Sequence, residues 1–257
     1  MGELLQHWRR ERRMSQLVLS IEAGVSPRHV SFVESGRANP SPEMVLKLAR
    51  ALDVPLRERN QLLLAAGYAP LYRETGLDAR ELEHVRAALD RVLAHHEPYP
   101  AVVMDRHWNV LLTNRAAGAM FEWLLAGSDP SDPPNIVRLM FTQLRPHVSN
   151  WDQAGEALVQ RVHREAVGGI PDLETARLLD DVLALPGVPS EWRTPDFTST
   201  TLPILPVEFA KDGLAVSYFS FVTTVGTPQD VTLQEIRLES FFPADAATER
   251  HRWVTAD

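Results

Sequence analysis

Residues 14–39 read MSQLVLSIEAGVSPRHVSFVESGRAN and contain two short helical patterns joined at a single glycine. Gly24 lets the chain turn sharply after the first pattern, because glycine tolerates a positive φ. Ser26 is a good N-cap, and Pro27 fits the first helical position, where its missing N–H removes no hydrogen bond. Gly36 closes the second pattern. The stretch therefore predicts two short helices that cross at a tight turn.

Apolar side chains recur in this stretch at the spacing that places them between two crossing helices. These residues are Leu19, Ala23, Val25, Val30 and Val33. The pattern is typical of a helix-turn-helix, whose second helix enters the major groove of DNA. Its exposed residues would then meet base edges or phosphates of an operator. The predicted contacts at this helix are Ser26, Pro27, Arg28, His29 and Ser31, with ordinary solvated surface as the alternative.

Three further helical patterns, around 3–13, 42–52 and 56–66, complete a predicted five-helix domain over residues 1–73. The segment SQLVLSIEAGVSPRHVSFVESGR resembles the DNA-binding domain of phage repressors and of the xenobiotic-response-element (XRE) family of regulators. The resemblance implies a lambda-repressor-like fold in which Gln16 touches DNA and Arg9 pairs with Glu34. Arg37 is either a phosphate contact or plain surface. The same two alternatives stand for Arg10, Arg12 and Arg13.

Charge divides the chain in the same way. Residues 1–73 hold 11 of the 26 Lys and Arg residues and 7 of the 34 Asp and Glu residues, a net charge of +4. The remaining residues therefore carry a net charge of −12, and the two parts sum to the overall net charge of −8. A basic head suits the phosphate backbone, and an acidic remainder opposes nonspecific binding to it. Because one small head offers little surface, we expect a homodimer on double-stranded DNA half-sites about one helical turn apart.

Several function classes are disfavoured by what the sequence contains. It has no cysteine, which excludes disulfides and thiol chemistry, and no apolar run approaches the roughly 20 residues of a membrane helix. We therefore expect a cytoplasmic protein that does not bind membranes. The carboxylates at Asp180 and Asp181 diverge on a helix surface, and the His95-His96-Glu97 cluster lacks metal-ligand spacing. No catalytic residue, metal site or resident cofactor is predicted, and we do not expect an enzyme.

Residues 74–98 are predicted to be a linker and a connecting helix, with the helix running from Asp78 until Pro98. Residues 99–257 then form a second domain. Strand patterns occur at 101–105, 108–113, 202–210, 214–226 and 231–242, and helical patterns at 114–126, 150–167 and 172–185. Asp212-Gly213 is a strong hairpin signal. The fold class is thus α+β, with a five-stranded antiparallel sheet, helices on one face, and an order that resembles a PAS fold.

Three stretches of this second domain carry a further resemblance. VVMDRHWNVLLTNRAA, PNIVRLMF and VGTPQDVTLQEIRLESFFPAD look like the ligand-binding domain of MmyB-like transcription regulators, which follows an XRE-type head in that family. The resemblance implies a bacterial-type regulator whose PAS-like module encloses a cavity for a small-molecule effector. The implied ligand is a fatty acid or a similar apolar small molecule.

The residues themselves permit such a cavity. Arg115 or Arg138 would hold a ligand carboxylate, with Arg138 preferred because it interrupts an apolar helix; the alternatives for Arg138 are an internal ion pair or a side chain that extends to water. The candidate lining residues, each of which is otherwise ordinary core, are Phe121, Met140, Phe141, Trp151 and Phe219. The alternative function is a DNA-bound regulator whose second domain only dimerises or recruits a partner.

Overall fold

The computed structural model describes residues 1–127, 133–167, 172–194 and 204–254, with the side chains of 165–167 left out. The first residues of the strand predicted at 202–210 lie outside the described residues. The chain forms two compact units. The first comprises Met1–Gly76 and Gly226–Gln234, and the second Leu77–Val225 and Glu235–Asp257.

Five helices follow one another at the start of the first unit, as predicted. They are α1 (Gly2–Glu11), α2 (Gln16–Glu22), α3 (Pro27–Glu34), α4 (Pro42–Ala51) and α5 (Leu56–Ala65). Serine side chains set three of their starts, since Ser15, Ser26 and Ser41 each accept a hydrogen bond from the backbone N–H three residues later. The apolar residues predicted between α2 and α3 are buried, except Val25, which is half-buried.

Two glycines determine how these helices meet. Gly24 has φ +54°, which confirms the predicted tight turn between α2 and α3. Gly2 was not anticipated from the sequence. A Cβ placed on it would lie 2.4 Å from the backbone oxygen of Glu34, so only glycine lets α1 begin against the end of α3.

The second unit contains both helices and strands. Its helices are α6 (Glu83–His95), α7 (Arg115–Leu125), α8 (Ile136–Phe141), α9 (Trp151–Val167), α10 (Leu173–Leu183) and α12 (Ala246–Arg250). Its strands are β1 (Ala101–Met104), β2 (Val110–Thr113), β3 (Val207–Lys211), β4 (Leu214–Thr224) and β5 (Arg237–Pro243). The short helix α11 (Val231–Glu235) lies between β4 and β5 in sequence and spans the boundary between the two units.

The strands form one five-stranded sheet in the order β2-β1-β5-β4-β3, with antiparallel pairing throughout. This confirms the predicted sheet. Asp212 and Gly213 have φ values of +49° and +79° and join β3 to β4 by a two-residue turn, so the hairpin prediction is also confirmed. All four residues of β1 are buried, and successive strand residues point to opposite faces, so both faces of the sheet are covered at β1.

Two boundaries differ from the sequence prediction. The last strand was expected over 231–242, but Val231–Glu235 is helical and β5 begins at Arg237. The carboxylate of Asp230 accepts a hydrogen bond from the Thr232 backbone N–H at 2.9 Å, which starts a helical turn despite the β-branched residues. The connecting helix was expected from Asp78; a 3₁₀ turn over Arg80–Leu82 precedes α6, which begins only at Glu83.

The core of the second unit lies between the sheet and helices α7 to α10. Met104, Trp108 and Met120 are among its fully buried side chains. Val102 and Met104 point into this core from β1. The sheet therefore forms one wall of the space in which a ligand cavity was predicted.

Candidate DNA-binding surface and ligand pocket

Helix α3 presents the predicted DNA contacts at the surface of the first unit. Pro27 and Arg28 are exposed, and Ser31 is half-buried. Ser26 is exposed as well, but its hydroxyl caps the helix by accepting the His29 backbone N–H at 3.1 Å. His29 is half-buried, and its Nε2 atom has no hydrogen-bond partner within the described residues. Of the predicted contacts within α3 itself, Pro27 and Arg28 are thus the exposed ones.

On this surface, two arginine side chains lie close to the ring of Phe32. The guanidinium carbon of Arg28 lies 5.0 Å from the centre of the Phe32 ring, and that of Arg37 lies 5.9 Å from it. Both distances are within the range of cation–π attraction. Phe32 therefore brings the two arginines together. The predicted helix already placed Arg28 one turn before Phe32, whereas the contact with Arg37, which lies beyond the end of α3, depends on the fold of the following turn.

Behind the surface, a buried ion pair ties α1 to the end of α3. Arg9 donates to both carboxylate oxygens of Glu34, at 2.6 and 2.8 Å, and also to the Met14 carbonyl at 2.8 Å. This confirms the pairing that the XRE resemblance implied. Gln16 donates its amide to the same carboxylate at 2.9 Å, so its side chain is fixed at the start of α2.

The Glu34 side chain is only 2% exposed. Burial by itself would raise the pKa of this carboxyl. The hydrogen bonds from Arg9 and Gln16, with the Arg9 charge, outweigh burial and hold the pKa of Glu34 below its ordinary value. The carboxylate is therefore ionised at neutral pH and keeps the two helices together.

The second unit contains a cavity of about 180 Å³ between its sheet and helices. Its walls are chiefly apolar, and they include two residues predicted from the sequence, Phe121 and Met140. The other apolar lining residues are Trp108, Met120, Ile136, Leu144, Ala154, Ala157, Leu158, Leu205, Val207, Phe209 and Phe241. An engineered apolar cavity of about 150 Å³ takes up benzene, so this space suffices for a small apolar group.

Polar groups gather at one part of this cavity. Arg161 of α9 pairs with Glu239 of β5 at 3.2 Å, and Ser220 of β4 donates its hydroxyl to the same carboxylate oxygen. The Arg161 guanidinium also lies over the ring of Trp108, 4.5 Å from its centre. Arg161, Ser220 and Glu239 were not recognisable as one cluster from the sequence, because they are far apart in the chain. The one available signal was an acidic residue within a strand of mostly apolar side chains.

The two arginines predicted as ligand anchors lie elsewhere. Arg138 is 49% exposed and pairs with Asp181 at 2.7 Å, in a separate polar cleft that also includes His107 and Glu174. Arg115 is exposed at the start of α7, where its backbone N–H donates to Glu97. Neither is among the described residues that line the cavity. Their proposed contact with a ligand stays a prediction.

Three predicted lining residues also lie outside the described cavity walls. Phe141 and Trp151 pack edge to face in the neighbouring core, with ring centres 5.0 Å apart. Phe219 stacks on Phe242 at 5.7 Å and alternates along β4 with Ser220, so it points to the opposite face of the sheet. Of the five predicted apolar residues, the structure thus brings Phe121 and Met140 together at the cavity.

In the described parts of the chain, no group of three or more His, Cys, Asp or Glu side chains is arranged to hold a metal ion. None of the helices in these parts combines the length and apolar character that crossing a membrane requires.

Comparison with known proteins supports both units. A family described as Helix-turn-helix matches residues 5–59, and one described as MmyB-like transcription regulator ligand binding domain matches residues 85–253. Multiprotein-bridging factor 1 of Candida albicans is 36% identical over 59 residues, which are 23% of this chain and 39% of that protein. The uncharacterized HTH-type transcriptional regulator RghRB of Bacillus subtilis is 33% identical over 81 residues, 31% of this chain and 56% of that protein.

The matched regions thus span less than two thirds of either relative's own length. The two family matches, in contrast, together leave few residues of this chain outside them. Because the second family match alone covers more than half of the chain, the protein belongs to the MmyB-like transcription regulators: it is a DNA-binding regulator with an XRE-type helix-turn-helix and a ligand-binding domain.

Proposed function

We propose that this regulator binds its operator as a homodimer, and that a small apolar ligand of the acyl-chain type controls the binding. The observation that carries the proposal is the cavity of about 180 Å³, whose walls are apolar except for one cluster of polar side chains. Pockets for small molecules in proteins have this composition, with a few polar groups that fix the ligand's orientation.

The DNA part of the proposal rests on helix α3. Pro27 and Arg28 are exposed at its first turn, and Arg37 lies beside them through Phe32. In a helix-turn-helix, residues at the start of the recognition helix contact base edges. We expect Arg28 to read a base and Arg37 to bind a phosphate. Gln16, held by Glu34, is expected to contact the DNA backbone at the start of α2.

Control by the ligand requires that two arrangements of the dimer bind it with different affinity. A ligand that prefers one arrangement then changes the spacing of the two recognition helices. A difference of a few kcal/mol between the two arrangements suffices to switch an operator. The ligand would thereby either activate or repress transcription.

Occupancy of the cavity can be tested on the full chain. Native mass spectrometry of protein purified under mild conditions should show a bound small molecule. Ala157→Trp, which fills the cavity from its wall, should abolish that adduct. Gln153→Trp is the matched control, because it adds the same side chain to an exposed position of α9 outside the lining. No adduct on the unaltered protein, together with no binding of added acyl compounds, would contradict ligand sensing.

A second candidate function has its own support on the face of the sheet opposite the cavity. Phe221 is 55% exposed and contacts Phe242, which stacks on Phe219, so aromatic side chains form a patch there. Exposed apolar patches of this kind mark interaction surfaces. The second domain would then serve only to dimerise or to recruit a partner. This candidate predicts that Phe221→Ser changes the oligomeric state or partner binding while ligands have no effect on DNA affinity.

A further inference from the structure

The charge balance inside the cavity bears on the chemistry of the ligand. Among the described lining residues, the basic and acidic side chains are those of Arg161 and Glu239. They pair with each other at 3.2 Å, so the cavity has no net charge to offer. A ligand carboxylate would find Arg161 already bound to an anion; a second cation, Arg237, lies 5.5 Å from the centre of the Trp108 ring and is not part of the described lining.

The geometry keeps this pair in place. Glu239 lies in the middle of β5, between its partners Val102 and Val222, and its side chain is 9% exposed. The guanidinium of Arg161 also lies over the Trp108 ring, 4.5 Å from its centre. If Arg161 turned toward a ligand anion, it would leave a buried carboxylate without its counter-charge, which is strongly destabilising. The pair therefore resists being opened by a charged ligand.

Uncharged hydrogen-bonding groups meet a better environment. A hydroxyl or primary amide can donate to the Glu239 carboxylate, which accepts only. The cavity also includes Trp108, whose indole N–H is buried and has no hydrogen-bond acceptor within the described residues. A ligand oxygen that accepted this N–H would relieve the cost of leaving a buried donor unpaired.

We propose that the cavity selects apolar ligands with an uncharged, hydrogen-bonding head group, such as a long-chain alcohol or primary amide, over the corresponding free carboxylate or amine. The inference rests on the proposed ligand-sensing function and specifies its ligand class. Glu239 discriminates against anions and Arg161 against cations, because an additional charge of either sign would be buried beside a like charge.

Three probes with the same alkyl chain test this directly: 1-octanol, octanoate and octylamine. Their dissociation constants for the full chain are measured by isothermal titration calorimetry at neutral pH, where the last two are ionised. We expect octanol to bind at least about tenfold more tightly than either ion, a difference of about 1.4 kcal/mol. Octanoate binding as tightly as octanol, or more tightly, would overturn the head-group inference and leave ligand sensing standing.

Two variants should move the ranking in opposite directions. Glu239→Gln removes the anion and should shift the preference toward octanoate, whereas Arg161→Gln removes the cation and should shift it toward octylamine. Arg164→Gln, at an exposed position of the same helix as Arg161 and outside the described cavity lining, should leave the ranking unchanged. A merely structural role of the pair predicts equal loss for all three probes in both variants, which would overturn the inference. If either variant fails to fold, the ranking in the unaltered protein still decides.

If none of the probes binds to the unaltered protein, a different conclusion follows. It would overturn the proposed sensing function, and the head-group inference with it. The two failures are therefore distinguishable, since only a preference for octanoate or octylamine contradicts head-group selection while supporting a ligand cavity.

Discussion

Arg9 and Glu34 show how one residue pair supports the DNA-binding surface without belonging to it. Their bidentate contact joins the end of α1 to the end of α3, and Gln16 adds a third helix to the same carboxylate. Removing one partner of a buried ion pair leaves the other charge uncompensated, which costs more than the pair contributes as a whole. The orientation of the recognition helix thus depends on groups behind it.

We expect Arg9→Met to destabilise the first unit by about 3–5 kcal/mol, because Glu34 would remain buried without its cation. The loss should appear as faster hydrogen exchange of the backbone amides of α1 and α3. Arg10→Met, at an exposed position of the same helix, is the control and should leave exchange nearly unchanged. Equal exchange in the two variants would show that the pair contributes little.

The lowered pKa of Glu34 also makes the first unit sensitive to acid. A carboxyl whose pKa is lower in the folded state contributes stability that is complete above its unfolded pKa and that is lost as pH falls through the folded pKa. Glu34→Gln should therefore flatten the acid limb of stability against pH for the helical unit. Urea unfolding at a series of pH values, monitored by hydrogen exchange of the α3 backbone amides, measures how steeply stability falls with acid in the unaltered protein and in the variant. Parallel acid limbs would contradict this account.

Arg28 is the residue at which sequence-specific recognition is most directly tested. Arg28→Ala should cost about 1–3 kcal/mol on the cognate operator and relax the preference at one base pair, if the arginine reads a base edge. Arg50→Ala on α4 removes the same charge outside α3 and should have a small effect. An equal loss on all DNA sequences would reassign Arg28 to a phosphate.

At the scale of elements, local capping signals made the helices of the first unit predictable. Ser15, Ser26 and Ser41 act within three residues of the helix that they start, so their effect can be read directly from the sequence. The segment Val231–Glu235 could not be predicted in the same way. Its alternation of apolar and polar residues indicates a strand, but the Asp230 side chain and the packing of this segment with the first unit favour a helical turn.

The β3–β4 hairpin provides a test at this scale, since it contributes two strands to the cavity wall. Gly213→Ala should destabilise the second unit by about 1–2 kcal/mol, because φ is +79° there. Gly118→Ala is the matched contrast: it lies in α7 with open space around it and should stabilise by about 0.5–1 kcal/mol. Denaturant unfolding measures the change in the free energy of unfolding for each variant. A change of the same sign in both variants would contradict the assigned turn.

At the scale of the whole molecule, the fold was predictable but the cavity's polar cluster was not. The two units follow the change in pattern from helices to strands, and Asp212-Gly213 marked the hairpin. Arg161 and Glu239, in contrast, are 78 residues apart, and only the three-dimensional packing of α9 on the sheet brings them together. Arg138 attracted attention because it interrupts an apolar helix, yet its neighbour Asp181 already binds it at the surface.

The chain connects the cavity to the first unit in a way that the sequence pattern did not indicate. Strands β4 and β5 carry Ser220 and Glu239, and the segment that joins these strands, Gly226–Gln234, belongs to the helical unit. Within that unit, Gln234 accepts the Leu56 backbone N–H at 2.6 Å, and Asp230 accepts the Thr75 hydroxyl at 2.7 Å. A change at the two strands therefore has a short covalent route to the unit that holds the helix-turn-helix.

The most direct test compares the operator affinity of full-length protein stripped of ligand with that of protein saturated with ligand. The operator is first selected from random duplexes, and both dissociation constants are measured at one salt concentration, because phosphate contacts make affinity depend strongly on salt. Ligand control of the dimer predicts that the two constants differ by at least about tenfold, or 1.4 kcal/mol. Equal constants for protein shown to be empty and full would contradict it.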